Sequence, residues 1–394
     1  MIIYVSIYII INVLMFILSD AEDHKEINDI KKLTIIIPLE DNIAGTIKTY
    51  KSVRDQRDID IITIISINGK KAEAVVGKIK KNVAIGSGDK IITCFQKGKA
   101  YAINNALNYV DTEWFGVIDS DCELKNSNAL KLLCDSINDK TIAAGGRLQV
   151  RRKVNPITVI QDMEYKRTFL HRRQIGRDLK CVTLISGAFG LFKKEIVEKS
   201  GGYCTDFVGE DMEIVLRIQR FCHRAHIKYD IAYEPRAVCI TSVPGNPYRL
   251  FRQRDRWQRG LIGSLLRNTT FRFDKGIAMQ LIAMPYIFAF DIAGPVLWAV
   301  CLVKEAAEYI AEKVYTLQEK NLWIAFLLVY VAMEITIDLL TEWERSELDH
   351  ERLKIVAVIG VVLMQIPKHV VNMLVIMPAR VYGTLTYPWR KNVW

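Results

Sequence analysis

The stretch Trp114-Phe115-Gly116-Val117-Ile118-Asp119-Ser120-Asp121 decides how this chain is read. Five apolar or small residues in a row, closed by carboxylates, have the length and composition of a buried β-strand with an acidic rim. Two upstream runs have the same character: LTIIIP at 33–38 and IDIITIISI at 59–67. Between them and the acidic strand, residues 100–110 carry apolar side chains at helical spacing. Strands alternating with helices predict an α/β domain with a mostly parallel, doubly wound sheet. In such sheets ligands gather beyond the carboxyl ends of the strands, so the polar residues that close these strands are the site candidates.

Outward from this core, composition segregates. Of 394 residues half are hydrophobic, yet a quarter are charged, and mean hydropathy is +0.11. Residues 1–19 (MIIYVSIYIIINVLMFILS) carry no charged side chain, and about 20 such residues in a helix cross the ~30 Å hydrocarbon layer. They predict an N-terminal transmembrane helix rather than a cleaved leader, because no basic n-region or small-x-small site accompanies them. Further apolar stretches lie at 278–303, 322–340 and 355–375. The expected division is therefore a transmembrane helix at 1–19, a soluble domain at 30–248, a basic interfacial helix at 249–277, a membrane region at 278–376 and a basic tail at 377–394. The Lys- and Arg-rich middle places the soluble domain on the cytoplasmic side of a multi-pass plasma-membrane protein. Three full crossings would put Arg380, Arg390 and Lys391 outside, against the same charge rule. One segment is thus expected not to cross: the first, with Pro285, Asp291 and Pro295, or the third, broken at Pro367-Lys368.

The net charge of +10 does not imply nucleic acid, because the basic residues flank membrane stretches and are not interleaved with aromatic ones. The eight cysteines include no CxxC pair and read as reduced, buried thiols.

Several polar groups have chemical potential. Asp119 and Asp121, two positions apart at a strand end, suit a divalent cation, Mg²⁺ or Mn²⁺, although such pairs are also common in solvated turns. Lys97 and Lys99 open a helix, where cations oppose the helix dipole unless an anion such as a phosphate binds there. Ser186-Gly187-Ala188 leads into an apolar strand. Glu210 and Asp211 begin a helix, which simple capping also explains. Gln253-Arg254-Asp255-Arg256-Trp257 combines forked donors matched to phosphate with a flat apolar ring suited to a sugar face.

Together and in this order, KGKA (97–100) with AINNAL (102–107), DSD (119–121), SGA (186–188), GED (209–211) and QxxRW (253–257) resemble the processive family 2 glycosyltransferases. These include cellulose, chitin, hyaluronan and poly-N-acetylglucosamine synthases, and the bacterial poly-β-1,6-N-acetylglucosamine type looks nearest. The likeness extends over most of residues 33–394. It implies a cytosolic GT-A domain with N- and C-terminal transmembrane helices. It also implies inverting transfer from a UDP-sugar, GlcNAc or glucose, to a growing β-linked polysaccharide, coupled to export across the bilayer. By resemblance, Asp211 is the general base, with Glu210 orienting it, and Asp121 ligates the metal with Asp119, which also holds the nucleotide. Lys97, Lys99, Gln253, Arg254 and Arg256 bind the nucleotide sugar, while Trp257, Ser186 and Gly187 receive the acceptor. Where the family carries Asp-Asp-Gly after the second strand, this chain has Ile67-Asn68-Gly69, leaving Asn68 to meet the base. Asp41-Asn42 stands where Asn-Glu is usual. Two rivals stay open at this level: single-sugar transfer to a membrane lipid, and a non-catalytic scaffold subunit. An accessory export or regulatory subunit would come from another chain.

Overall fold

The computed structural model describes residues 30–70, 72–268, 279–311 and 316–390. The helix expected over 1–19 and Lys391 lie outside these residues. The strands are β1 Lys32–Leu39, β2 Asp60–Asn68, β3 Lys90–Cys94, β4 Trp114–Ile118, β5 Glu123–Leu124, β6 Thr141–Val150, β7 Phe189–Lys193 and β8 Asp230–Thr241. The soluble-domain helices are α1 Ile43–Arg54, α2 Ala72–Asn82, α3 Lys99–Leu107, α4 Ala129–Asp135, α5 Pro156–Lys166, α6 Arg173–Asp178, α7 Lys194–Lys199 and α8 Glu210–Arg224. The long amphipathic α9, Pro247–Arg267, follows.

Among the described residues the strands form one sheet in the order β3-β2-β1-β4-β7-β6-β8-β5. The first four strands pair in parallel, as the alternating pattern predicts. The second half is mixed, because β7 runs antiparallel between β4 and β6. β6 and β8 are parallel, and short β5 closes the edge antiparallel to β8. β1 is central and buried from Leu33 to Leu39, which is why it reads as a continuous apolar run rather than an alternation. Its side chains still divide by parity. Leu33, Ile35, Ile37 and Leu39 face a core built with Tyr50, Val53, Ile79 and Leu133, whereas Ile36 packs with Ile103, Phe115, Ile214 and Ile218 on the other face.

The C-terminal region carries α10 Met279–Ile310, α11 Leu317–Leu348, α12 Ile355–Leu363 and α13 Gln365–Thr386. Met279–Ile310 and Ile324–Leu348 are long and apolar enough to cross a membrane, and α12 with α13 forms a third candidate bent by 43°. α10 starts against the soluble domain, where Met279, Met284 and Ile287 pack on Met212, Leu216 and Leu265. Farther along, Val300 and Val303 are exposed, as are Leu327 and Leu328 on α11.

The second half of α11 differs from the uniform apolar span expected there. Glu334, Asp338 and Glu342, all buried, recur every four residues along one face. Glu334 pairs with Arg167 at 2.9 Å and Glu342 with Lys166. Just past the helix, Asp349 meets Arg147 of β6, and Lys125 at 3.5 Å. Glu334 and Glu342 thus dock the helix on the sheet domain, while Asp338 and Glu334 pair with Lys368 of α13 at 2.5 and 3.0 Å. α12 and the start of α13 lie along α5, and α13 ends on α9. There Arg380 bonds Gln258 and Asp291, and Arg390 reaches Asp255 at 2.9 Å. Both ends of the bent pair therefore stand against the soluble domain. Arg380 and Arg390 lie on its side.

Asp349 lies below the ordinary carboxylate range: burial pushes it up, but Arg147, Lys125 and Arg345 outweigh that. A depressed carboxylate stabilises the fold above its unfolded value and loses that contribution as pH falls through the folded one. Asp349→Ala strands Arg147 in a buried position, which costs roughly 1–3 kcal/mol. The expected result is faster amide exchange over 341–348 and a lower unfolding midpoint, with the difference from wild type shrinking at acid pH.

Candidate active site

The site assembles at the carboxyl end of β4. Asp119 follows that strand directly, and its N–H donates to the Ala188 carbonyl at 3.3 Å, tying the acidic turn to the SGA loop. Asn42 caps α1 by accepting from Gly45 N–H at 3.1 Å, and its amide donates to the Ser120 carbonyl at 3.3 Å. Asp41-Asn42 thus braces the turn that carries the two carboxylates.

Lys99, in the first turn of α3, is the hub. Its Nζ lies 2.5 Å from Asp119 Oδ1 and donates to the Gly187 carbonyl at 2.7 Å. The Gly187 N–H in turn points at Asp211 Oδ2, 3.4 Å away, and Asp211 Oδ1 accepts from Met212 N–H at 2.9 Å. One chain of contacts therefore joins four motifs spread over more than a hundred residues. Gly187 leaves little room where it stands: an added Cβ would meet Lys99 Nζ at 3.0 Å and the Asp211 Cβ at 3.1 Å.

Electrostatics explain the arrangement. Burial alone would depress the Lys99 ammonium, but Asp119, Glu210 and Asp211 outweigh it and hold Lys99 above the usual lysine range. Asp119 is raised, chiefly by burial, with Lys99 opposing and Asp121 and Asp211 adding to the rise. Glu210 is likewise raised by burial, partly offset by Lys99 and reinforced by Asp211. The carboxylates are mutually tolerable because one ammonium stands among them.

The loop before α8 is held from two sides. Asn104 of α3 accepts from the Tyr203 N–H and donates to its carbonyl, both at 2.8 Å. On the other side Gly209, at φ +124°, lies against Gly260 of α9, where a Cβ would come within 2.7 Å of the Gly260 Cα. This contact of two backbones seats the GED turn on the QxxRW helix, and only glycine permits both the positive φ and the approach.

On α9, Gln253 Oε1 is buried with no partner among the described residues, a polar atom turned inward without protein to satisfy it. Trp257 is 41% exposed. The other expected residues sit variously. Lys97 is on the rim, paired with Glu40 at 3.2 Å, and does not join the Lys99 cluster. Asn68 ends β2 and is buried. Ser186 Oγ lies 3.3 Å from the Ala188 N–H. Arg254 differs from the expectation of a diphosphate ligand: its Nη1 and Nη2 reach Glu164 of α5 at 2.5 and 2.7 Å. Glu164 and the Gly209–Gly260 contact were not singled out from sequence, where each is one ordinary residue among many.

Asp119 and Asp121 present hard carboxylate oxygens at the strand rim, and Asp119 keeps 31% of its side chain open. Among the described residues no cluster of three metal-ligating side chains forms. The pair fits a cation that takes most of its oxygens from phosphate and water, as magnesium does.

A model of the glycosyltransferase-like family 2 matches residues 56–260, from the end of α1 through most of α9. The chain belongs to glycosyltransferase family 2. Among similar family 2 proteins, a poly-β-1,6-N-acetyl-D-glucosamine synthase of Staphylococcus epidermidis is 25% identical over 282 residues, 71% of this chain and 65% of the relative. A synthase of the same name from Staphylococcus aureus strain MSSA476 is 27% identical over 259 residues, 63% of this chain and 60% of the relative. The match thus spans slightly under two thirds of these relatives' length. The fold matches the mannosyltransferase of Pyrobaculum calidifontis, solved with GDP-Man and Mn²⁺, at a TM-score of 0.60 and 16% identity over 98% of this chain and 95% of that one. This family 2 chain therefore has the GT-A fold, as its motifs imply.

Gly187→Ala should push Lys99 off the Gly187 carbonyl and tilt Asp211. Because a misplacement of about 1 Å costs on the order of 10²-fold in rate and this one is a few tenths of an ångström, donor turnover is expected to fall by less than that order while the unfolding midpoint stays near wild type.

Proposed function

We propose that this chain is a membrane-embedded, inverting, metal-dependent glycosyltransferase that moves a sugar, GlcNAc or glucose, from a UDP donor onto a growing β-linked polysaccharide. The reading places a transmembrane helix at 1–19, the GT-A domain at 30–248, the interfacial QxxRW helix at 249–277, the membrane region at 278–376 and a basic tail at 377–394. One observation carries the reading: Lys99 links Asp119, at the metal rim, through Gly187 to Asp211, while α9 closes the same cleft. The names of the staphylococcal relatives support the polymer product, and the bound GDP-Man and Mn²⁺ of the Pyrobaculum enzyme support a nucleotide sugar and a divalent cation.

Asp121 and Asp119 would hold Mg²⁺ or Mn²⁺, which when bound neutralises charge on the diphosphate. Arg256 and Gln253 offer donors to the same phosphates, and the buried, unpartnered Gln253 oxygen marks room for a polar ligand. Lys99 holds Asp119 in place, and Asn68 meets the base. The acceptor sugar stacks on Trp257, with its reacting hydroxyl toward Asp211. Asp211 removes the hydroxyl proton as the oxygen attacks the anomeric carbon. The bond from that carbon to the diphosphate breaks on the opposite side, UDP leaves with the electron pair, and configuration inverts.

Exposed apolar rows on α10 and α11 meet lipid, and the basic α9 lies at the cytoplasmic interface. α10 leaves the soluble domain and α11 returns to it, so these two helices cross. The bent α12–α13 pair, touching α5 and α9 at its two ends, lies along the interface and keeps Arg380 and Arg390 inside. The reading has the polymer leave between these helices during processive synthesis.

The test is incorporation of radiolabelled UDP-GlcNAc and UDP-glucose into polymer by the full chain in lipid nanodiscs. Polymer from one donor is expected, lost with chelator and restored by Mg²⁺ or Mn²⁺. Asp211→Asn should lower turnover by about 10²–10⁴-fold, the usual worth of a general base. A wild-type chain that neither polymerises nor hydrolyses either donor, with both metals supplied, would overturn the reading.

A further inference from the structure

We infer that Glu164 is a positioning residue for the acceptor platform, acting through Arg254 on Trp257. The inference rests on the proposed role of Trp257. Glu164 grips the Arg254 guanidinium through both Nη groups, at 2.5 and 2.7 Å, and the guanidinium lies over the Trp257 ring with its carbon 4.4 Å from the ring centroid. Arg254 is 5% exposed, whereas Trp257 keeps 41% of its surface open. The cation covers part of the indole, and surface remains for a sugar. A planar, bidentate carboxylate–guanidinium pair fixes both the position and the plane of the cation, which an unpaired Arg or a Lys would not. The orientation of the ring is therefore set by a residue on another helix.

Glu164 is itself held from behind. Two residues away, on the opposite side of α5, Asp162 pairs with Lys153 at 2.8 Å and with Lys166 at 3.0 Å, and Lys166 also meets Glu342 of α11. α5 is thereby clamped to α11 on one side while it presents Glu164 to α9 on the other. The carboxylate has a fixed origin that does not depend on α9, as a positioning role requires. It also gives Arg254 a function distinct from the diphosphate contact expected from its motif.

The experiment compares wild type, Glu164→Gln, Glu164→Asp and Trp257→Ala as full chains in nanodiscs. It measures donor hydrolysis without acceptor, KM and kcat for transfer to a short β-linked oligosaccharide, and the unfolding midpoint. Glu164→Gln is expected to raise the acceptor KM about tenfold, within the range a desolvated cation–ring contact is worth. Donor hydrolysis should stay near wild type, the midpoint should fall because the buried Arg254 guanidinium loses its charged partner, and Glu164→Asp should recover part of the KM. If Glu164→Gln lowers donor hydrolysis and acceptor transfer together with the midpoint, Glu164 is a simple helix staple and the inference fails. If Trp257→Ala raises the acceptor KM and neither Glu164 variant does, the inference fails alone. An unchanged KM in Trp257→Ala refutes the platform reading, and the Glu164 inference with it.

Discussion

A buried ammonium holds this site together. Asp119, Glu210 and Asp211 come from two distant segments, and three carboxylates at close quarters in a half-dry cleft repel one another. Lys99 makes their approach possible, and the Gly187 carbonyl fixes where the ammonium stands. The elements around it are arranged accordingly. α3 must start beside the end of β4, the SGA loop must pass without a side chain at 187, and α8 must begin where its first carboxylates reach the same cation. The sheet order makes this geometrically available, because β4 and β7 are neighbours and their ends bring 119 and 187 together.

A second constraint joins this cluster to the long basic helix. The approach of Gly209 to Gly260 lets two backbones touch, so α9 cannot shift without moving the GED turn. α9 is in turn tied to the C-terminal region through Asp255, Gln258 and Arg380, and to α5 through Arg254. Charged and polar contacts join apolar ones there, such as Met279 and Ile287 against Leu265. Between the sheet domain and the apolar C-terminal helices, buried ion pairs with good geometry specify a register that apolar packing alone would leave free to slide. Glu342 and Glu334 of α11 against Lys166 and Arg167, and Asp349 against Arg147, work in the same way.

Much of this was legible in advance. The parallel half of the sheet follows from β-branched runs with a helix between them, and the strand ends predicted from 33–38, 59–67 and 114–119 fall within a residue or two of the observed ones. Asp119, Lys99, Gly187 and Asp211 were all marked as candidates by the joint order of their motifs, since each one alone has an ordinary structural use. Lys97 shows the limit. It shares a motif with Lys99, two residues away, yet it stands outside the helix that Lys99 opens and turns to Glu40 on the rim. Arg254 shows it again: a guanidinium in a phosphate-binding motif meets a carboxylate from ninety residues earlier. Local pattern carries no information about such a partner.

By itself the sequence determined the elements, the segregation of apolar from charged segments, and the residue types able to do glycosyl transfer. These follow from side-chain periodicity and from chemistry intrinsic to each residue. Tertiary structure alone decided which of those residues meet. It reversed β7 between β4 and β6, chose Lys99 over Lys97, gave Arg254 to Glu164, and paired the acidic face of α11 with cations of the sheet domain and of α13. Each of these choices depends on contacts between segments tens to hundreds of residues apart, and their energy depends on burial and geometry that exist only once the chain has closed around them.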